Sequence, residues 1–269
     1  MIGAIIGDIV GSRFEFDNIK TKNFELFDSE CDFTDDTVMT LAVAKSFVGY
    51  DFKNDIESFK NHLVKNMHNI GCEYPNCGYG GRFLDWIIHK HTTPYYSCGN
   101  GSAMRVSSVG WVAKSLIEAE ELAKTTAEVT HNHPEGIKGA EATASCIFLA
   151  RMGARKEELK RYVEKEFEYN LNRTLEEIRP TFHMDESCQG TIPEAIIAFL
   201  ESTDFEDAIR NTVSLGGDTD TLAAITGSIA EAYYGIPSSL KIECRNRVDK
   251  DILEVMELFD ELLKDETWS

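Results

Sequence analysis

Two short segments of the chain bring several oxygen-bearing side chains together. Residues 216–221 read GGDTDT and residues 34–37 read TDDT, and each segment precedes an apolar run with helical spacing. Carboxylate and hydroxyl oxygens without cysteine or histidine favour Mg²⁺, Mn²⁺ or Ca²⁺ over Zn²⁺ or Cu²⁺. The spacing differs from that of a calcium-binding EF-hand loop. If the fold brings the two segments together, they predict a site for hard divalent cations.

The same two segments have a simpler interpretation as helix N-caps. Asp and Thr side chains accept hydrogen bonds from free amides at helix starts, so either segment alone is more typical of a cap. A cap needs one such residue, however, and each segment supplies four. Four carboxylates gathered in a partly dry cleft would repel one another by several kcal/mol. A divalent cation would remove that cost, which favours the metal site.

Two glycine-rich segments, GYGGR at 78–82 and GNGSAMR at 99–105, place bare amides and an arginine ahead of a helix. Such loops bind phosphate, because free amides and a helix N-terminus both favour an anion. Neither segment is a Walker loop or a dinucleotide-binding fingerprint. Taken singly, each is also consistent with an ordinary turn.

The segment THNHPE at 130–135 contains two histidines followed by a proline. His131 and His133 cannot face the same way on a helix, and the proline interrupts the segment. A helix-entry loop with one histidine lining a pocket is therefore favoured over a paired-histidine metal site. The sequence contains no GxSxG motif, and no cysteine has an evident catalytic partner.

Composition indicates an acidic globular protein. The formal net charge is −19 and the sequence pI is about 4.8, which makes nucleic acid an unexpected partner because phosphate backbones are held by basic patches. Seven scattered cysteines without a CxxC pair indicate reduced thiols. The apolar start of the chain lacks the basic region of a signal peptide, and no apolar run reaches the roughly 20 residues that span a bilayer. We expect a cytoplasmic monomer with no membrane segment.

Helical periodicity dominates the chain, and strict two-residue alternation is nearly absent. The prediction is an all-α fold, a single compact multi-helix domain over residues 1–269 with about ten helices or more. Glycines at 3, 7 and 11 share one helical face and predict close helix packing. Beyond this first segment, helices are predicted over 38–48, 55–67, 83–88, 106–114, 117–129, 137–151, 156–167, 192–200, 205–213, 222–233 and 247–263.

Six motifs occur in a characteristic order. They are GDIVGSRFEF at 7–16, FTDDT at 33–37, GYGGRF at 78–83, GNGSAMRVSSVGW at 99–111, THNHPEG at 130–136 and GGDTDT at 216–221. Together these segments resemble the ADP-ribosylglycohydrolase family, typified by the dinitrogenase reductase-activating glycohydrolase. The resemblance spans roughly residues 1–237. Single motifs are weakly specific, whereas six in order are strongly so.

The resemblance implies an all-helical enzyme with two Mg²⁺ ions, for which Mn²⁺ is a possible substitute. It places the metal ligands at Thr34, Asp35, Asp36, Asp218, Asp220 and Thr221. Glu15 falls at the position of a glutamate that approaches the metals, and Glu15 or Asp36 is the expected proton acceptor for the attacking water. The expected substrate-binding residues are Gly80, Gly81, Arg82, Gly99, Asn100, Gly101, Ser102, Met104, Arg105 and His133. The chain departs from the family pattern at Cys98 and Ser108.

The reaction implied by the resemblance is hydrolysis of the glycosidic bond between ADP-ribose and an acceptor, releasing ADP-ribose. The expected partner is an ADP-ribosylated protein or a small ADP-ribose conjugate, with arginine favoured as the acceptor by resemblance only. Three alternatives remain at this stage. They are hydrolysis of another conjugate such as O-acetyl-ADP-ribose, magnesium-dependent cleavage of a different nucleotide, and non-catalytic ADP-ribose binding.

Overall fold

Fifteen helices form the regular structure of the part of the chain that is described. The computed structural model describes residues 1–50, 52 and 55–264, and no strand lies within them. In chain order the helices are α1 (Ile2–Ser12), α2 (Asp35–Phe47), α3 (Ile56–Glu73), α4 (Gly81–Ile88), α5 (Gly101–Met104), α6 (Ser107–Val112), α7 (Leu116–Ala127), α8 (Pro134–Arg151), α9 (Lys156–Glu166), α10 (Leu175–Ile178), α11 (Cys188–Leu200), α12 (Phe205–Val213), α13 (Thr219–Tyr234), α14 (Ser238–Arg247) and α15 (Lys250–Lys264).

Helix α13 lies at the centre of the fold and packs against α1, α8, α11 and α12. Its side chains are buried continuously from Thr219 to Ala230, which a helix on a protein surface could not achieve. Most of the buried apolar side chains in the described residues join one contiguous core around it. The first turn of α13 is therefore held rigidly, and that turn carries the second acidic segment.

The contact between α1 and α13 depends on small residues. Gly3, Gly7 and Gly11 of α1 face the backbone of α13, and a Cβ atom added at Gly7 would lie 1.9 Å from the carbonyl oxygen of Ala223. The Thr219 hydroxyl donates a hydrogen bond to the Gly11 carbonyl at 2.8 Å. The predicted close helix packing is confirmed. Its consequence is that the end of α1 and the start of α13 nearly touch.

The all-α prediction is confirmed, and the described residues form one compact domain. The predicted domain of 1–269 also includes residues 265–269, which lie outside the described ones. Among the described helices, none has both the length and the apolar character needed to cross a bilayer.

Three details of the helix prediction are wrong. The segment 92–103 was expected to be a loop but contains the start of the short helix α5. The helix expected over 247–263 is present as α15, which begins three residues later, at Lys250. Most of α14 was not predicted, because only Cys244 of that helix is buried and the helix therefore has no apolar stripe. The four-residue α10 was missed because it is too short to show a period.

Candidate active site

A cavity of about 370 Å³ opens where the N-termini of α2, α4, α5 and α13 converge beside the loop that follows α1. Most of the predicted site residues line it, although they come from five separate parts of the chain. They are Glu15, Thr34, Asp35, Asp36, Gly80, Gly81, Arg82, Gly99, Asn100, Gly101, Met104, Arg105, Asp218, Asp220 and Thr221.

Asp8 fixes the start of α2 against α1. This fully buried carboxylate accepts hydrogen bonds from the Thr34 amide at 2.9 Å, the Thr34 hydroxyl at 2.7 Å and the Thr37 amide at 3.0 Å. The Thr37 hydroxyl also donates to it. Asp8 was not among the predicted site residues, because its role depends on α1 passing beside α2, which the sequence does not reveal.

The two acidic segments meet at the base of the cavity. The Thr221 hydroxyl donates a hydrogen bond to Asp36 Oδ2 at 3.0 Å, joining the first turns of α13 and α2. Thr34 caps α2 by accepting from the Asp36 amide at 3.3 Å. Asp218, at the corresponding position of α13, makes no side-chain cap bond. The N-cap interpretation therefore holds for Thr34 but not for the Asp218 carboxylate.

Asn100 orients Asp218 instead. Its side-chain amide donates to Asp218 Oδ2 at 2.6 Å and to the Thr191 hydroxyl at 3.0 Å, and it is buried. The Asn100 backbone amide donates to the Glu186 carbonyl at 2.8 Å, beside a bridge between Gly99 and Ser187. The second glycine-rich segment is thus fastened both to an acid and to the loop before α11.

Glu15 reaches the acidic residues from the loop after α1. Oxygen atoms of Glu15, Asp218 and Asp220 lie within 4.8 Å of one another. Asn18 ties this loop to the turn before α13. It donates to the carbonyls of Glu15 at 2.9 Å and Gly217 at 3.1 Å, and it accepts from the Gly217 amide at 2.7 Å. Gly217 adopts a positive φ of 79°, which a side chain would strain.

The carboxyl groups of the cavity resist ionisation. Burial, followed by the charges of Asp220 and Asp8, raises the pKa of Asp35 and of Asp36 well above the ordinary value. Burial and then Asp218 do the same for the pKa of Asp220. Between described residues, no lysine or arginine ion pair reaches these groups to offset the effect.

The same causes act on the three remaining acids. Burial raises the pKa of Asp8 to about 6 and that of Asp218 to about 6, although hydrogen bonds to both carboxylates oppose the shift. Burial and the Asp220 charge raise the pKa of Glu15 to about 8. Six acids near one cavity are consequently costly to ionise together, and this arrangement is typical of a functional site rather than a structural one.

The donor set fits a hard divalent cation. All of its atoms are carboxylate or hydroxyl oxygens, and Asp36 Oδ1 is buried without a hydrogen-bond partner among the described residues. A buried carboxylate oxygen without a partner is unfavourable unless a cation or water completes it. Nearby cationic charge would also relieve the repulsion that raises the pKa values. Mg²⁺ and Mn²⁺ prefer this oxygen-only chemistry.

Arg105 and His131 form the opposite wall. The Arg105 side chain, 1% exposed, donates to the Thr126 carbonyl at 3.1 Å and to the Thr130 hydroxyl at 2.8 Å, and burial lowers its pKa to about 10. Burial and the Arg105 charge lower the pKa of His131 well below its usual range, so its ring is neutral.

The Thr130 hydroxyl favours one tautomer of His131. The Thr130 hydroxyl oxygen accepts from Arg105, and its proton can then be donated to His131 Nδ1 at 2.7 Å. A neutral ring that accepts at Nδ1 carries its proton at Nε2. That nitrogen lies next to Gly101, since a Cβ atom added to this glycine would be 3.1 Å from His131 Nε2. The wall thus offers an imidazole N–H donor and a buried guanidinium.

Two predicted substrate-binding residues lie outside the cavity lining. His133 caps α8 by accepting from the Glu135 amide at 3.1 Å, and His131 occupies the cavity instead. Residue spacing favoured one histidine over a pair but could not choose between them. Ser102 is buried and donates to the Gly136 carbonyl at 2.6 Å, so it fastens α5 to α8. Cys98 and Ser108, where the chain departs from the family pattern, also do not line the cavity.

Other lining residues were not predicted. Tyr95 forms the rim with Arg82, whose guanidinium lies 4.8 Å from the centre of the Tyr95 ring and donates to the Tyr95 carbonyl. Glu186 is exposed at the mouth. Ser97, Gly78 and Phe83 complete the lining. Tyr95, Ser97 and Glu186 lie in segments without periodicity or motif, so only the fold reveals their position.

The fold and the site together define a class of protein, an all-helical enzyme with an acidic cavity between helix N-termini. The sequence model of the ADP-ribosylglycohydrolase family matches residues 1–268, and the chain belongs to this family. The predicted family and the predicted enzyme class, an ADP-ribosyl glycohydrolase acting on ADP-ribose conjugates, are thereby confirmed.

Relatives of known name support the assignment. The chain is similar to bovine ADP-ribosylhydrolase ARH3, with 25% identity over an alignment of 335 positions that covers 94% of this chain and 89% of the relative. It is 26% identical over 264 residues to ADP-ribosylarginine hydrolase Tri1 of Pseudomonas putida, covering 88% of this chain and 70% of that one. A solved structure titled ADP-ribosylglycohydrolase-related protein complex shares the fold with a TM-score of 0.72 and 23% identity, covering 98% and 96% of the two chains.

Proposed function

We propose that this protein uses two Mg²⁺ ions to hydrolyse the bond between the terminal ribose of ADP-ribose and an arginine side chain. The observation that carries the proposal is the meeting of two acidic segments, 183 positions apart from Asp35 to Asp218, in one cavity with the glycine-rich loops. Relatives named ADP-ribosylhydrolase and ADP-ribosylarginine hydrolase support the reaction class.

The proposed ligands of the two ions are Thr34, Asp35, Asp36, Asp218, Asp220 and Thr221, and Mn²⁺ could replace Mg²⁺. Bound ions of this kind supply positive charge, orient oxygen groups of the substrate and lower the pKa of water. The chain itself supplies the arrangement of the oxygens. Asp8 holds the first turn of α2, and Asn100 holds the Asp218 carboxylate.

Glu15 is the proposed proton acceptor for the attacking water, once the positive charge of the two ions has lowered its raised pKa. The Glu15 carboxyl group is half-buried and lies within 4.8 Å of carboxylate oxygens of Asp218 and Asp220. The Asp36 carboxyl group is buried and accepts a hydrogen bond from the Thr221 hydroxyl. Water adds to the anomeric carbon as the bond to the acceptor nitrogen breaks through an oxocarbenium-like state. The electron pair of that bond leaves with the nitrogen, and the water proton passes to Glu15.

The wall opposite the acids would bind the ADP-ribose. The amide of Gly101 and the buried Arg105 guanidinium favour the pyrophosphate, since a free amide and a cation both attract an anion. His131 would donate its Nε2 proton to a substrate oxygen. Gly80 and Gly81 have open space where a Cβ would be, which leaves room for a ligand at the rim beside Arg82.

Arginine is the proposed acceptor because the mouth of the cavity is acidic. Exposed Glu186 and half-buried Glu15 both face it, and a guanidinium leaving group would complement their charge. Serine or an acetyl ester would gain nothing from these carboxylates. An exposed charge pair is worth about 1 kcal/mol or less, so the expected selectivity is several-fold.

A panel of defined substrates tests both parts of the proposal. ADP-ribosylated arginine, ADP-ribosylated serine and O-acetyl-ADP-ribose are assayed with Mg²⁺ and with a chelator, and free ADP-ribose is measured as product. We expect Mg²⁺-dependent release, fastest from arginine, and a Glu186→Gln variant with a raised KM for the arginine substrate alone. Faster cleavage of the serine conjugate would refute the acceptor assignment without affecting the reaction class.

Two substitutions test the metal ligands. Asp35→Ala and Asp218→Ala should each reduce ADP-ribose release by about 100-fold or more. Mutating residues that only support metal ligands already lowers metal affinity or activity by roughly 10–100-fold. The exposed Asp251 in α15 provides a matched control, because Asp251→Ala removes an acid far along the chain from the cavity residues. Retention of near-full activity by both cavity variants would refute the scheme.

A further inference from the structure

A second group of potential ligands lies at the end of α4, outside the acidic cavity. The side chains of Asp85, His89 and His91 bring their carboxylate and ring-nitrogen atoms within 4.8 Å of one another, and all three are exposed. We propose that these residues form a binding site for a transition-metal ion of the Zn²⁺ type. This three-residue group is called the histidine cluster below.

The backbone prearranges the histidine cluster. Asp85 and His89 are four residues apart, so they share one face of α4, and the His89 amide donates to the Asp85 carbonyl at 3.1 Å. The chain then reverses at Lys90, which has a positive φ of 51°. The His91 amide returns to the Trp86 carbonyl at 3.0 Å. This turn, rather than sequence spacing, carries the His91 ring back to Asp85.

The three side chains already lie close to one another, and His89 Nδ1 also lies 3.1 Å from the Asp85 carbonyl oxygen. Asp85 Oδ1 lies 3.0 Å from His89 Nδ1, and Asp85 Oδ2 lies 3.4 Å from His91 Nε2. The ring centres of the two histidines are 5.7 Å apart. A small shift would place all three donors around one ion, with their protons displaced on binding.

The donor types distinguish this ion from the two proposed for the acidic cavity. Two imidazoles and one carboxylate suit Zn²⁺, Ni²⁺ or Cu²⁺, whereas Mg²⁺ prefers oxygen alone. Three protein ligands at an exposed site leave at least one position for water, as in open zinc sites. Mg²⁺ and Zn²⁺ should therefore bind to different parts of the protein.

The histidine cluster adjoins the rim of the candidate active site. Asp85 and His91 also line a second cavity of about 430 Å³, which shares Gly81, Arg82 and Tyr95 with the acidic one. The intervening chain is fastened to α4, since Trp86 Nε1 donates to the Thr93 carbonyl at 3.1 Å. An ion at this cluster would cross-link the end of α4 to the segment that leads to Tyr95.

A titration of the full-length protein tests the site. Saturating Mg²⁺ is added first, and the protein is then titrated with Zn²⁺ by calorimetry and with Co²⁺ by visible absorption. We expect one Zn²⁺ site, and a His89→Ala/His91→Ala variant that binds about 100-fold more weakly or worse, since both imidazole ligands are lost. The exposed His183 is the matched control, and His183→Ala should bind Zn²⁺ like the unchanged protein.

Two results would overturn the proposal. One is unchanged Zn²⁺ affinity in the double variant, which would place the ion at a thiol such as exposed Cys72 or at the acids. The other is a Co²⁺ spectrum with sulfur-to-metal charge transfer. Should the variant fold poorly, modification of histidines by diethyl pyrocarbonate in the unaltered protein tests the site instead. Zn²⁺ should protect His89 and His91 from modification but not His183. Equal modification of all three histidines in the presence of Zn²⁺ would refute the site.

Discussion

Buried carboxylates occur in two different settings in this protein. On α11, Glu194 is buried and forms a bidentate pair with Arg173, with both hydrogen bonds at 2.8 Å. Burial raises the pKa of Glu194, and the Arg173 guanidinium opposes that shift. Around the acidic cavity, by contrast, hydroxyls, amides and other carboxyls surround the acids, and no ion pair between described residues supplies a compensating charge.

The difference separates a buried acid whose charge has a partner within the fold from buried acids that have none. Removing a buried carboxylate that pairs with an arginine destabilises the protein, because the arginine is left without an opposite charge. Clustered carboxylates without such a partner repel one another, and the core around α1, α2 and α13 must hold them together. Natural proteins retain such strain where function requires it. A cation bound between the cavity acids, as we propose, would supply the missing positive charge.

The largest expected effect comes from neutralising one acid in each setting. Asp36→Asn should reduce catalysis by about 100-fold or more yet raise the melting temperature measured in a chelator. The new amide nitrogen would take the place of the unpartnered Oδ1 and relieve repulsion with Asp220. Activity with Mg²⁺ and thermal unfolding with chelator provide the two measurements.

Glu194→Gln is the matched counterpart and should behave in the opposite way. It removes a charge-assisted pair with Arg173 and is expected to cost about 1–3 kcal/mol of unfolding free energy, with activity nearly unchanged. If both variants lowered the melting temperature equally in chelator, the proposed distinction between the two settings would be wrong.

The next variant tests whether the close packing of α1 against α13 holds the cavity acids together. In Gly7→Ala the new Cβ would meet the Ala223 backbone of α13, which cannot move aside, and overpacking of this kind costs about 1–3 kcal/mol or more. We expect a melting temperature lower by several degrees and weaker Mg²⁺ binding. In Gly81→Ala the new Cβ meets nothing within 4 Å, so its melting temperature should hardly change. Equal effects would show that the α1–α13 contact does not limit stability.

The sequence could predict the fold class and the composition of the site, but not its supporting contacts. The acidic segments were recognisable because carboxylates and threonines stand next to each other in the chain. Asp8 was missed because its four hydrogen bonds join α1 to α2 across the fold. The family resemblance placed His133 beside the substrate, whereas His131 lines the cavity and His133 caps α8. Spacing alone does not distinguish the two histidines. The metal identity and the acceptor remain predictions.

A smaller effect concerns pH. The folded-state pKa values of Asp8 and Asp218 are about 6 and that of Glu15 is about 8, all above the ordinary values. The folded protein then binds more protons than the unfolded chain between about pH 4 and pH 8, so stability falls as pH rises through that window. In chelator, the melting temperature should decline from pH 5 towards pH 8.

Added Mg²⁺ and the Asp36→Asn variant should each make this decline shallower, because each reduces the repulsion between ionised acids. Thermal unfolding at several pH values, with chelator or with Mg²⁺, measures the slopes. A melting temperature that rises from pH 5 to pH 8 in chelator would contradict the claim that the cavity acids lack a compensating positive charge.

The smallest expected effect concerns Asn18, which positions Glu15 without reaching the acids itself. Asn18→Ala removes the hydrogen bonds that connect the Glu15 loop to Gly217 before α13, each worth about 1 kcal/mol. The acids would remain in place, so Mg²⁺ affinity should change little while kcat falls about tenfold for a shift of about 1.4 kcal/mol in the barrier. Asn18→Asp keeps the acceptor for the Gly217 amide and should recover part of the loss. A variant that loses Mg²⁺ affinity and kcat together would instead show that the loop supports the acidic residues themselves.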